Sequence, residues 1–269
     1  MLAEILNRNR AVSPVVHCMT NFVTANDCAN LVLASGASPI MADDAEEAEE
    51  VTAICNGLVL NLGTPKPRKI EAMLRAGRAA GRLGHPVVFD PVGVGSSSLR
   101  TDAARKILET VRISVIRGNA SEIRTLLRGT TAHRGVDVDE ELGSVGDDLL
   151  LARDLARKSG AVVVLSGDRD IVTDGETSYR VANGHPMMRT VTGAGCQLSS
   201  LVGAYVASNP ENPLRAALAA VCAMGYCGEL AYDRLGPLDG NASYRNYMID
   251  ALFHLRGEEL ERGAKYEIC

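Results

Sequence analysis

Val191-Thr192-Gly193-Ala194-Gly195-Cys196-Gln197-Leu198 sets two glycines directly before a strongly patterned segment. Leu198, Leu201, Val202, Tyr205 and Val206 recur at i, i+3, i+4, i+7 and i+8, the spacing of a helix with one face packed on a core. Glycine lets the backbone approach a ligand closely, and the first turn of a helix has amide donors without partners inside the helix. The stretch therefore predicts an anion site at a helix N-terminus, with the Cys196 thiol where a nucleotide's phosphate meets its acceptor. A tight turn around a small buried thiol accounts for the same residues, and the stretch alone leaves both readings open.

Upstream, short apolar runs alternate with helical segments. Val15–Cys18 precedes a helix through about Ala34, and Ser38–Met41 leads into an acidic helix from Asp43 onward. Gly57–Leu62 is followed by a basic helix over 68–82, then by Pro86–Asp90, Ile113–Ile116 and Ala161–Leu165. Near-continuous apolar strands joined by helices predict an α/β fold with a mainly parallel central sheet covered by helices on both faces. Asp170–Thr173, Asp174-Gly175 and Thr177–Val181 read as a small antiparallel hairpin at its edge. After Gly193 the pattern is almost wholly helical. Without repeats, low-complexity segments or a linker, 1–269 reads as one domain.

Composition narrows the function classes. A net charge of −5 gives no electrostatic footprint for nucleic acid. The seven cysteines include no C-x-x-C pair of the kind used for zinc or dithiol chemistry. Glu4 and Asn7-Arg8-Asn9-Arg10 break any apolar leader. The Ala-rich apolar stretch Ala216 to Gly228 falls short of the ~20 residues of a membrane span. A reducing cytoplasm, no membrane and no nucleic acid are the expectations.

In open α/β sheets ligands bind beyond the carboxyl ends of the strands. The candidates there are Thr20-Asn21, Met41, Asn61, Asp90, Arg117-Gly118-Asn119, Ser166-Gly167-Asp168 and Thr192-Gly193. Each single Asn or Ser among them is more often a helix cap, so the weight rests on their recurrence. No G-x-x-x-x-G-K-[ST] occurs, which excludes a P-loop. Gly93-Val94-Gly95 follows a strand, but Ser98 stands where a dinucleotide fingerprint has its third glycine.

Taken together, these motifs resemble the hydroxyethylthiazole kinase family of the ribokinase-like kinases. The resemblance is carried by Val16-His17-Cys18-Met19-Thr20-Asn21, Ala34–Met41, Asn61-Leu62-Gly63-Thr64, Asp90–Gly95, Ile116–Glu122, Ser166-Gly167 and Val191–Cys196. It runs from the N-terminal helix to about residue 232. It implies ATP-dependent phosphorylation of the primary alcohol of 4-methyl-5-(2-hydroxyethyl)thiazole, and a homotrimer with thiazole pockets at subunit interfaces. By the same resemblance Met41 and Gly193 contact the thiazole, Arg117 and Ser166 contact ATP, and Asp90 and Glu122 lie near Mg2+. Asn119, Thr192 and Gly195 join the nucleotide set, and Asn21 is a candidate hydrogen-bond partner of the thiazole.

The chemistry suits these types. Phosphoryl transfer is governed by positioning and charge neutralisation, and an arginine forks onto phosphate oxygens as lysine cannot. Oxygen donors suit magnesium, although Glu122 is also a natural first-turn acid. A neutral heterocycle calls for a polarizable wall such as Met41. Cys196 stands where the wider superfamily has an aspartate base. A helix N-terminus lowers a thiol's pKa and bound polyphosphate raises it, so Cys196 is expected to be a weak proton acceptor. Two other readings are a kinase for hydroxymethylpyrimidine or pyridoxal, and a nucleotide-dependent repair dehydratase, which expects an aspartate at the Cys196 position.

Overall fold

The computed structural model describes residues 1–131 and 147–269. Its centre is a nine-stranded sheet in the order β2-β1-β3-β4-β5-β6-β7-β8-β9. β1 (Val15–Met19), β2 (Ser38–Ile40), β3 (Gly57–Asn61), β4 (Val87–Asp90), β5 (Val115–Asn119) and β6 (Val162–Ser166) run parallel. β7 (Asp170–Thr173), β8 (Ser178–Val181) and β9 (Tyr266–Ile268) continue the sheet antiparallel. The predicted sheet, mainly parallel with an antiparallel edge, is the one observed.

Strand side chains alternate between the two faces. Val59, Val88, Val115 and Val164 fill one core with α1 (Leu2–Val12), α2 (Ala25–Ala34), α8 (Ala194–Ser208), α9 (Pro213–Asp233) and α10 (Asn241–His254). Leu58, Leu60, Phe89, Ile116 and Val163 fill the other. That second face carries α3 (Ala48–Ala53), α4 (Pro67–Leu83), α5 (Ser98–Thr110), α6 (Ala120–Thr131) and α7 (Asp147–Ser159). Because both faces are covered, the central parallel strands read as near-continuous apolar runs. α11 (Gly257–Gly263) leads into β9.

Four expectations need correction. The acidic helix begins at Ala48, not Asp43, because Asp44 Oδ1 accepts from Glu46 N at 2.9 Å and forms a side-chain turn first. The hairpin connection has four residues, since Thr173 pairs with Ser178. Asp174 Oδ1 organises it by accepting from Glu176 N (3.0 Å) and Thr177 N (2.7 Å). α8 is buried on all sides from Cys196 to Ser208, not along one face. β9 was hidden in a segment read as helical, too short for any periodicity to register. α9 spans 21 residues and is long and apolar enough to cross a membrane, but 72% of its most apolar window is buried inside the protein, as in a core helix.

Candidate active site

The alternation that builds the core also builds the site. On four neighbouring strands the residue two beyond the α8-facing valine is polar: Val59/Asn61, Val88/Asp90, Val115/Arg117 and Val164/Ser166. These side chains project from the strand ends toward the first turns of α8. The turn into α8 requires glycine. Gly193 has φ +74°, and a Cβ there would collide with Thr24 Cγ2. A Cβ on Gly195 would collide with the Arg117 guanidinium, so that ring of donors lies directly on the helix backbone. Gln197 N bonds Gly193 O at 2.9 Å, while the amides of Gly195 and Cys196 have no acceptor among the described residues.

One chain of hydrogen bonds, closed by an ion pair between Asp90 and Arg117, crosses this region. Asn21 Nδ2 donates to Cys196 Sγ (3.3 Å) and to Asn61 Oδ1 (3.1 Å). Asn61 Nδ2 donates to Asp90 Oδ2 (2.8 Å), which also accepts from Ser199 Oγ (2.7 Å) and lies 3.8 Å from Arg117 Nη1. Arg117 Nη2 donates to Ser166 Oγ at 2.6 Å. Arg117 and Ser166, with Gly195, line a cleft of about 390 Å³ whose other walls include Asp170, Met188 and Met224. Such a cavity, lined by both polar and apolar side chains, suits a small-molecule ligand.

Burial dominates the electrostatics. The fully buried Asp90 carboxyl is pushed up to about 6 by lost hydration, and Glu122 adds to this against Arg117, Ser199 and Asn61. Lost hydration and then the Asp90 charge push the Cys196 thiol above its ordinary range, with Asn61 and Arg117 pulling it back. The lowering anticipated from the helix terminus is thus outweighed by burial. Asp90 Oδ1 is buried without a hydrogen-bond partner.

Glu122 is a capping-box acid. Its Oε2 accepts from Asn119 N and Asn119 Oδ1 accepts from Glu122 N, both at 2.9 Å, while Oε1 takes Gly93 N at 2.8 Å. Both carboxylate oxygens therefore already hold an amide. Asn119 and Thr192 are exposed, and neither lines the cleft. Met41 is half-buried just beyond the edge strand β2, away from the cleft lining. Asn21 is buried, its Oδ1 takes Val23 N (3.1 Å), and both amide hydrogens go to protein atoms. The reading of the sequence missed Ser199, whose signal is its place three residues after Cys196 on one helix face.

A nine-stranded α/β sheet with a cleft at the N-terminus of α8 is the fold of a ribokinase-like superfamily protein from Enterococcus faecalis, at TM-score 0.62 and 12% identity over 93% of each chain. The pyridoxal kinase of Staphylococcus aureus, solved in complex with ADP, shares this fold at TM-score 0.63 and 16% identity, over 95% of this chain and 97% of that one. A family model described as "Hydroxyethylthiazole kinase family" matches residues 6–258, and the chain belongs to that family. It is 51% identical to a hydroxyethylthiazole kinase of Clostridium acetobutylicum, with 99% of each chain covered. The hydroxyethylthiazole kinase structure from Pyrococcus horikoshii OT3 superposes at TM-score 0.90 with 33% identity, covering 100% of this chain and 98% of that one.

Proposed function

We propose that this chain transfers the γ-phosphoryl group of ATP to the primary alcohol of 4-methyl-5-(2-hydroxyethyl)thiazole, serving thiamine salvage or biosynthesis. The observation that carries the reading is the continuous chain from the Cys196 thiol through Asn21, Asn61 and Asp90 to the Arg117–Ser166 pair in the cleft. Family membership favours this acceptor over hydroxymethylpyrimidine, pyridoxal or a hydrated nicotinamide cofactor.

In this reading Arg117 and Ser166 hold the nucleotide's phosphates, with Asn119, Thr192 and Gly195 completing the nucleotide side. The free amides of Gly195 and Cys196 face the charge that builds during transfer. Met41 and Gly193 flank the thiazole. Asn21 is committed to Cys196 and so orients the thiol instead of gripping the heterocycle. Cys196 accepts the alcohol proton late, which a loose transition state tolerates from a weak base.

Asp90 and Glu122 are the carboxylates for Mg2+, and the unpartnered Asp90 Oδ1 suits a hard cation. When bound, magnesium neutralises phosphate charge. Glu122, with both oxygens already holding amides, would add negative charge beside it. The assembly we propose is a homotrimer with the thiazole pocket between subunits. In support, Met41 follows the edge strand, and Phe22 and Val23 beside Asn21 expose 75% and 54% of their surfaces. Seven free thiols suit a reducing cytoplasm.

Incubation with ATP, magnesium and each of the four acceptors, followed by mass spectrometry, tests the reading. A phosphate gain on hydroxyethylthiazole is expected. Phosphorylation of the pyrimidine or pyridoxal in preference to it, or dehydration of the hydrated cofactor, would replace it.

A further inference from the structure

The geometry points to Asn61 as a positioning residue that fixes the direction of the hydrogen bonds between the Cys196 thiol and the Asp90 carboxylate. The inference rests on Cys196 being the proton acceptor.

A side-chain amide can present either end to a neighbour, and its orientation is set by its partners. Here backbone donors set it twice. Gly63 N donates to Asn61 Oδ1 at 2.9 Å, which turns Asn61 Nδ2 toward Asp90. Val23 N donates to Asn21 Oδ1 at 3.1 Å, which turns Asn21 Nδ2 toward both Asn61 Oδ1 and Cys196 Sγ. A Cβ on Gly63 would come within 2.5 Å of Asn21 Nδ2, so the loop after β3 keeps the two amides in contact. The register places Asn61 directly beside Asp90 on adjacent strands.

The donors therefore run outward from Asn21, to Cys196 at one end and through Asn61 to Asp90 at the other. Cys196 Sγ receives a hydrogen bond, which leaves its own S–H free to turn toward a ligand and favours the thiolate when the proton leaves. Asp90 receives two donors on Oδ2, which presents Oδ1 as the open oxygen. Reversing Asn61 would oppose oxygen to oxygen at Asp90 and nitrogen to nitrogen at Asn21.

The charged and titratable groups around the chain are Arg117 from β5 and Glu122 from α6 at Asp90, and Cys28 from α2 and Lys69 from α4 at Cys196. Only one of these contacts is a close ion pair, Arg117 with Asp90.

The test is kcat and KM in Asn61→Leu, close in size but with neither donor nor acceptor, assayed with ATP, magnesium and hydroxyethylthiazole. Relative to wild type, kcat should fall about tenfold or more, with KM for the alcohol changing less than about threefold. A folded variant with unchanged kcat, or one whose loss lies in KM alone, would overturn the inference. Should that variant not fold, Asn61→Ala replaces it and is read the same way. Wild-type protein that phosphorylates no hydroxyethylthiazole would instead refute the underlying functional reading, which keeps the two failures apart.

Discussion

Replacing Gly195 with alanine should separate the demands of the helix from those of the site. Gly195 lies in the first turn of α8 with an ordinary helical backbone, so alanine gains up to about 0.5–1 kcal/mol of helix propensity. Its methyl would, however, occupy the space of the Arg117 guanidinium, whose Cζ lies 2.8 Å from the ideal Cβ position. Overpacking of this kind costs about 1–3 kcal/mol. The two contributions partly offset, and the melting temperature should move by only a few degrees. Arg117 cannot yield without leaving Ser166 Oγ at 2.6 Å or the Asp90 carboxylate. A displaced guanidinium loses charge-assisted hydrogen bonds to phosphate, about 1.5–3 kcal/mol or roughly 10- to 150-fold in kcat/KM for ATP. Steady-state kinetics with varied ATP, beside a melting curve, reads both effects. A folded variant with kcat/KM for ATP within about threefold of wild type would refute the role of Arg117 and its packing on the helix terminus.

Cys196→Asp should retain turnover, because a carboxylate accepts a proton at least as well as a thiol held above its ordinary range. Cys196→Ala should lose at most about 10²–10⁴ in kcat, with ATP binding intact by calorimetry. The folded protein holds the Asp90 proton more tightly than an unfolded chain does, with a pKa of about 6 against 3.8, so wild-type stability should fall as pH rises from about 4 through 6. Asp90→Asn should lack that decline, a difference of about 3 kcal/mol at about 1.4 kcal/mol per unit, read from denaturant melts across the window. Met41→Ala should raise KM for the thiazole about 5- to 30-fold, as loss of about 1–2 kcal/mol of apolar contact implies, and leave KM for ATP alone. Equal changes in both would place Met41 outside the thiazole pocket, and a sedimenting mass other than three times 28.5 kDa would refute the trimer.

The parallel sheet was legible because each strand is apolar on both faces, and the hairpin because Asp174-Gly175 marks a turn. The site was legible as polar residues at strand ends. Its internal wiring was not. That Asn61 faces Asp90 follows from the register of β3 against β4, which no local pattern encodes. The burial of α8 on every side was obscured because Ser199, Ser200 and Gln197 look like a solvent face, while Ser199 instead donates to Asp90 and Ser200 to the helix's own Cys196 carbonyl. Glu122 had two readings in the sequence, and only the amides of Asn119 and Gly93 reveal the cap. The β9 strand depended on pairing with β8, a partner 87 residues away at Arg180–Glu267.

The enclosure of α8 has a consequence for how this enzyme can adapt to temperature. Gly203 sits against Val59, with no room for a Cβ, eight residues or about 12 Å along the axis from Gly195. A rod wedged between strands and neighbouring helices transmits a sideways push along its length. Substitutions chosen only to harden the protein's middle would therefore nudge the phosphate-facing tip, and heat tolerance and turnover would have to be tuned on the same piece of backbone.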